Sequence, residues 1–465
     1  MRLLHPVAAL RAEFDDPSLV SCAGLVPVMR LAGDVGLYDL VRASVRLPGS
    51  VGCNPAGKTA AIVAGMVAGA DSIDDLDVVR HGGMGALFGG VYAPSTLGSF
   101  LRAFTFGHVK QVQRAAAGVL VNLVGQVPAL LRGGDAVTFV DIDSMLRRVY
   151  GKAKQGASFG HAKVGGYDVR LRGLNPLIAT ISTLDSAPLV AATRIRAGSA
   201  SSARGAAAMV AGSVRTARQA GTTGTIVVRG DSAFYSRKVI WAAMRNGARF
   251  SITARVDAKV KAAIAAIAED AWTAIKYPRA VWDEHEQRWI SDAQIAEVGY
   301  TAFEASKHAV TARLIVRRVR RRNDKAVSGQ DELFPTWRYH AVFTDSRYPL
   351  AQAESQHRGH AVIEQVNADL IDGPLAHLPS GKINANGAWL ALAAIAHNLT
   401  RATGALASFT LAKARGHTIR RKIITVAAKI VRHARAITLR LPAHWPWQHE
   451  WQTLFANTHA PPAPG

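Results

Sequence analysis

Cysteine is almost absent: Cys22 and Cys53 are the only two in 465 residues, and they lie far outside CxxC spacing. A disulfide scaffold and a structural zinc site are both excluded on that ground, and a reducing cytoplasm is the expected setting. Long apolar runs are lacking too. The longest, Ala388 to Ala396, stops at His397 and Asn398, well short of the roughly 20 residues a membrane span needs. The opening MRLLHPVAALRAEFDD turns acidic where a secretory cleavage site would sit, so neither a leader nor a membrane segment is expected. The 16 histidines include no HExxH or HxH spacing, and no internal repeat is visible. Acids are scarce as well, 33 against 56 Lys and Arg, a formal charge of +23. Such an excess favours a polyanionic partner. It is steepest from Gly373 to Gly465, where eleven Lys or Arg face one acid, Glu450, as a surface for phosphate backbones requires.

What remains is apolar enough to fold: 49% hydrophobic and only 19% charged residues. Burial can therefore offset the entropy of ordering almost throughout. The exceptions are Arg321 to Thr336 and the terminal APPAPG, where turn formers and charge replace periodicity. The length suits about two to four domains. Residues 1–132 read as an all-α region, with helical periodicity in Gly24 to Ser44, Thr59 to Ala70 and Ser95 to Val124 and no strand. Ala93 to Phe104 is either a recognition helix or a core helix. From 133 to 255 the pattern is β-β-β-α-β-α-β, including Ala136 to Asp143, Leu177 to Leu184, Leu189 to Ile195, Thr225 to Arg229 and Arg249 to Arg255. The TIVVR run calls for cover on both faces, so an α/β core with helices flanking a central sheet is the expected fold. Residues 256–345 look like a β-rich insertion. The core resumes over 346–410 with a helix from Ala351 to Leu370, and 411–465 form a basic tail.

Three places offer acids for chemistry. In TFVDIDSM, Asp141 and Asp143 stand two apart at the end of a strand and so project to one face. In VVRGDSAFYS, Asp231 follows a buried strand at a glycine turn open to ligands. Each alone reads equally as a capping or turn aspartate. Together, at the ends of the first and fourth strands, they form a site for divalent cations such as Mg²⁺ or Mn²⁺, which prefer carboxylate oxygens and water. A third acid is expected on the helix HRGHAVIEQVNADLIDG. There Glu364 has His357 and His360 on roughly its own face, with Glu354 and Asp369 as rivals.

VDIDSM, VRGDSAFYS and HRGHAVIEQVNADLIDGPLAHLPSG resemble the three acidic motifs of bacterial insertion-sequence DDE transposases, specifically the insertion-sequence thirteen-eighty group. NPAGKTAAIVAGMVAGADSIDDLDVVRHGGM, APSTLGSFLRAF and the C-terminal LRLPAHWPWQHEW are similar to that group as well. The resemblance implies an RNase H-like core with a mixed five-stranded sheet, a helical N-terminal DNA-binding region and a β-rich insertion between the second and third acids. By motif it implies a catalytic, metal-holding triad of Asp143, Asp231 and Glu364, with Asp141 as an alternative first acid or further ligand. The implied activity is metal-dependent cleavage and strand transfer at the terminal inverted repeats of a mobile element, on double-stranded DNA, by a homodimer. The sequence departs from related enzymes where they carry Tyr, Arg and Lys around the glutamate; here His357, His360 and Ile371 stand, with Arg358 and Lys382 as possible substitutes.

Other motifs compete. GCNPAGKT, Gly52 to Thr59, satisfies the P-loop pattern, yet Arg46 and Pro48 precede it where a buried strand is required. A loop before an alanine-rich helix is the simpler reading. GDSAF lacks the flanking glycines of a nucleophile elbow, and Ser232 is expected to cap a helix. HWPWQHEW, His444 to Trp451, either stacks on bases or docks the tail on the core. Trp282 and Trp289 either hold a flipped base or pack internally. An inactive DNA-binding descendant and a metal-dependent nuclease remain as alternative functions.

Overall fold

The computed structural model describes residues 1, 4, 9–164, 167–278, 280–305, 308–320, 337–434 and 436–459. The stretches read as loose, 321–336 and 460–465, lie outside the described residues. The N-terminal part is helical: α1 (Leu25–Asp34), α2 (Leu37–Ser44), α3 (Pro55–Ala68), α4 (Met84–Leu87), α5 (Pro94–Arg102) and α6 (Phe106–Gln126). A short strand missed in the sequence, β1 (Leu19–Val20), precedes them. Two residues are too few for an alternating pattern to register.

The P-loop string is the start of α3. Asn54 caps it by accepting from the Gly57 N–H, and Pro55 supplies the first turn. No strand precedes it, only the 3₁₀ turn Ser50–Gly52. Lys58 is buried, donates to the Val51 carbonyl at 2.8 Å and lies over the Tyr92 and Phe100 rings, so it is spent on packing. α5 turns Leu97, Phe100 and Leu101 inward and leaves Ser95, Thr96 and Ser99 exposed.

The central sheet begins with β2 (Val137–Ser144). A small antiparallel sheet of β3 (Arg147–Arg148), β4 (Ser158–Val164) and β5 (Tyr167–Leu174) leads to β6 (Leu177–Ser182) and β7 (Leu189–Arg194). Then follow α7 (Ala206–Gln219), β8 (Thr225–Gly230), α8 (Arg237–Arg245), β9 (Arg249–Thr253) and α9 (Ala258–Ala265). The order β7-β6-β2-β8-β9 is antiparallel across β7, β6 and β2 and parallel across β2, β8 and β9.

Beyond β9 the sheet does not stop. Of β10 (Thr273–Ala274), β11 (Val281–Asp283), β12 (Arg288–Ile290), β13 (Ala293–Ala302), β14 (Val310–Arg320) and β15 (Trp337–Thr344), only β11 and β12 stand apart as a hairpin. β15 pairs antiparallel with β9, and β14, β13 and β10 follow outward, making nine strands. The five strands and separate β-rich segment expected from the sequence are thus one continuous sheet. The physical reason is the outer edge of β9, whose unpaired backbone groups are satisfied by β15.

The remaining helices are α10 (Leu350–Arg358), α11 (Val362–Ile371), α12 (Ile383–Ala407), α13 (Phe409–Ala412) and α14 (Gly416–Ile419), followed by β16 (Ala428–His433), β17 (Ala436–Arg440) and α15 (Gln448–His459). α12 carries the longest apolar run and is apolar on all sides, as a helix buried on all sides must be. It packs on α1, α3, α5, α6, α15 and β7 and so joins the helical part to the sheet. Small residues permit this: a Cβ on Gly387 would come within 3.4 Å of Val109. The basic tail is folded: β16 pairs with β1 and β17, and α15 buries Trp451 and Leu454. α15 docks on α12 and α1, and Trp445 donates to the Lys422 carbonyl at 3.0 Å. Among the described residues no helix is long and apolar enough to cross a membrane.

Candidate active site

β2 and β8 run parallel with Asp141 opposite Arg229 and Ile142 opposite Gly230. Continued by one residue, that register sets Asp143 beside Asp231 at the C-terminal ends of neighbouring strands. α11 packs against β2 at this end.

Asp141 is fully buried and fully engaged. Arg229 grips it with Nε on Oδ1 at 2.6 Å and Nη2 on Oδ2 at 2.7 Å, and His360 Nδ1 lies 3.0 Å from Oδ1. Burial opposes ionisation of this carboxyl, but the Arg229 charge and His360 outweigh it and hold Asp141 below the ordinary carboxylate range. Arg229 is buried as well, lies over the Phe139 ring at 3.8 Å, and donates Nη1 to the Gln356 carbonyl. Asp141, expected as an alternative first acid or further metal ligand, is committed to an internal ion pair instead. A carboxylate buried that deeply is compatible with folding only when matched by a cation.

Asp143, two residues on, is treated differently. Its Oδ1 accepts the Ser144 N–H at 2.6 Å and its Oδ2 the Asn367 amide at 2.7 Å. Burial pushes its pKa up to about 6; Asp231 adds to the rise, while the Ser144 N–H, His360 and Asn367 work against it. Asp231 is exposed in extended backbone, and its Oδ1 accepts the Ala233 N–H at 2.9 Å. It caps the 3₁₀ turn Ser232–Phe234; the cap is Asp231, not Ser232 as expected, because the turn starts at Ser232 itself, one residue earlier than a Ser232 cap requires. Neither Asp143 nor Asp231 has a Lys or Arg partner among the described residues.

The three acids of the α10–α11 segment separate cleanly. Glu354 is buried between Arg317 and Arg358, and Asp369 is paired with Arg415. Glu364 is exposed, in the first turn of α11, with no ion-pair or hydrogen-bond partner among the described residues. Residues 360, 364 and 367 share one face at helical spacing. His360 touches Asp141 and Asn367 touches Asp143, so Glu364 lies on the face turned to the end of β2. No contact joins it to either aspartate, and among the described residues no three His, Cys, Asp or Glu side chains form a ready group for a metal.

The histidines that replace Tyr and Arg around the glutamate serve the fold. His357 sits between Ser251 and Thr253 of β9 at 3.0 Å from each hydroxyl, and burial, with the nearby His360 and Arg229 charges, pushes its pKa down to about 3. Arg358 is tied to Glu354, and Lys382 donates to the Arg102 carbonyl at 3.3 Å. Trp282 and Trp289 pair edge-on across the β11–β12 hairpin, centroids 5.1 Å apart; Trp282 is exposed rather than packed inside. Sequence reasoning missed Arg229 and Asn367. The signal for Arg229 was a cation inside an otherwise apolar buried strand, which demands an acid across from it; that for Asn367 was its place one turn beyond Glu364.

The donor chemistry suits a hard divalent cation. Asp143 and Asp231 are like charges held together with no cation of the protein between them, and Glu364 is a free carboxylate on the adjoining helix face. No curated protein matches the chain. Among solved structures it is similar to a piggyBac transposase synaptic complex with hairpin DNA, at 9% identity and a TM-score of 0.36, over 85% of this chain and 79% of that one. A likeness that distant decides nothing about the chemistry. The family of transposases with a DDE domain, group 1, matches residues 6–461, which is nearly the whole chain: it belongs to that family, an enzyme acting as a DNA transposase.

Proposed function

We propose that the enzyme cuts and rejoins double-stranded DNA at the terminal inverted repeats of an insertion sequence of the thirteen-eighty group, with Asp143, Asp231 and Glu364 as its catalytic acids. The observation that carries this reading is the contrast on β2: Asp141 is neutralised by Arg229, whereas Asp143 and Asp231 stand side by side with no Lys or Arg ion-pair partner among the described residues. The strand order β7-β6-β2-β8-β9 supports an RNase H-like core, with 256–345 inserted in sequence between the second and third acids. In this reading residues 1–132 and the basic 411–465 contact the element ends, two copies hold the two ends together, and the setting is the bacterial cytoplasm.

Asp143, Asp231 and Glu364 would hold Mg²⁺ or Mn²⁺, which supplies Lewis-acid stabilisation of the charge that develops on the phosphate. The chain's own work is positional. The Ser144 N–H and Asn367 fix the two oxygens of Asp143, and the Ala233 N–H fixes one oxygen of Asp231. The Asp141–Arg229 pair locks β2 to β8 directly beneath. Glu364, free of partners, can reorient as a ligand without breaking a bond.

Cleavage of a labelled duplex carrying the element's terminal repeat, in Mg²⁺, Mn²⁺ or EDTA, tests the reading. Activity should require the metal and be lost in Asp143→Ala, Asp231→Ala and Glu364→Ala while DNA binding persists. Cleavage by Asp231→Ala would sink the scheme; binding without cleavage under every condition would favour a degenerate DNA-binding descendant.

A further inference from the structure

A second charged feature lies on the face of the sheet away from β9. β7 is the last strand of the sheet on that side, and between it, α6 and α7 runs a groove of about 610 Å³. Lys110 and Arg114 from α6, Arg194 from the end of β7 and Arg215 from α7 converge on it, and no acid lines it. None of the four cations has an ion-pair partner among the described residues. Such convergence is unfavourable by itself: the Lys110 ammonium is held below its ordinary range by burial and by the charge of Arg194.

Position links this groove to the acids. Across the sheet Ser144 pairs with Leu177, and Leu177 pairs with Arg194, so Arg194 stands level with the end of β2 that carries Asp143, its row lying on the opposite face of the sheet from the Asp143 side chain. Two strand spacings separate them, about 10 Å. Lys110 and Arg114, one helical turn apart, are spaced by about 6 Å along α6, a step that suits successive charges on a polyanion. A mere solvated basic face needs no such meeting of three elements.

We infer that this groove carries the phosphate backbone of the DNA flanking the reacting bond, with Lys110, Arg114, Arg194 and Arg215 as its phosphate contacts. The inference rests on the transposase reading of the acids. It predicts sequence-independent binding whose loss leaves the acids untouched.

The test is binding of the full-length protein to a short labelled duplex of arbitrary sequence across a series of salt concentrations. Arg114→Ala/Arg194→Ala/Arg215→Ala should flatten the slope of log affinity against log salt by about 2 to 3, roughly 0.9 for each phosphate no longer neutralised, and weaken binding by about 10²-fold at 0.1 M salt. Arg114→Ala alone, exposed and mid-helix, should lower the slope by about 0.9 and covers the case in which the triple variant fails to fold. Lys261→Ala, on α9 outside the groove, should keep the wild-type slope. A groove variant with the wild-type slope and affinity overturns the inference while leaving the catalytic reading intact. A wild-type protein that binds no duplex at low salt overturns both.

Discussion

Along β2 and β8, two neighbouring rows of charge obey opposite rules. In the inner row Asp141 faces Arg229, opposite charges, buried, bidentate and backed by His360. In the outer row Asp143 stands beside Asp231, like charges, with Asp143 driven up to about 6 and Asp231 open to solvent. The two rows are two residues apart on the same strand, so backbone geometry does not distinguish them. What does is compensation: the inner acid is complete within the protein, and the outer pair is complete only with something added. On the proposed reading, structural and functional carboxylates are told apart by which of them the protein itself neutralises.

The comparison breaks most visibly in activity. Asp143→Asn or Asp231→Asn should lower cleavage by about 10³-fold or more, about 4 kcal/mol of transition-state stabilisation, with the fold intact. If either variant cleaves at the wild-type rate in the duplex assay, the outer row is not the catalytic one. The inner row should fail in the other observable. Arg229→Met leaves Asp141 buried with only His360 beside it, and urea unfolding should report a loss of about 3 to 5 kcal/mol. Adding Asp141→Leu to Arg229→Met should restore most of it, since a buried pair replaced by apolar residues is often neutral. A double variant as unstable as the single would mean that the pair holds the strands by more than charge.

Much of this was legible in advance because the local signals agree with the global fold. Asp143 and Asp231 close strands whose apolar runs, Val137 to Ile142 and Ile226 to Val228, are unambiguous. Glu364 was named among rivals that spacing alone does not separate; of these, Glu354 meets Arg317 from β14 besides Arg358 of its own helix, and Asp369 meets Arg415 from beyond α12. Arg317 and Arg415 are far in sequence from the acids they meet, and no periodicity announces them. The same holds for β15 on β9, a pairing between strands some ninety residues apart, and for β1, which exists only because β16 returns to pair with it. The pairing of Asp141 was hidden for a related reason: i and i+2 placement shows that two acids share a face but not which one a cation from the next strand will occupy.

The smallest expected effect is the sharpest on the outer row. Asn367→Ala removes one hydrogen bond from Asp143 Oδ2 and should cost about 1 kcal/mol in unfolding stability while lowering cleavage less than loss of any acid. More telling is the pH dependence of Asp143 itself, measured without divalent ions. Its folded-state pKa of about 6 lies above the ordinary 3.8. Its contribution to stability is therefore complete below about 3.8 and is lost as pH rises through about 6. Asp143→Asn lacks that loss, so its stability relative to wild type should climb between pH 4 and 7 and then level off, by about 3 kcal/mol. Mg²⁺ should close the gap by stabilising the wild type alone, since a cation that binds only the folded state raises its stability by mass action. A pH-independent difference between the two proteins would mean that Asp143 is already compensated, and the distinction between the rows would collapse.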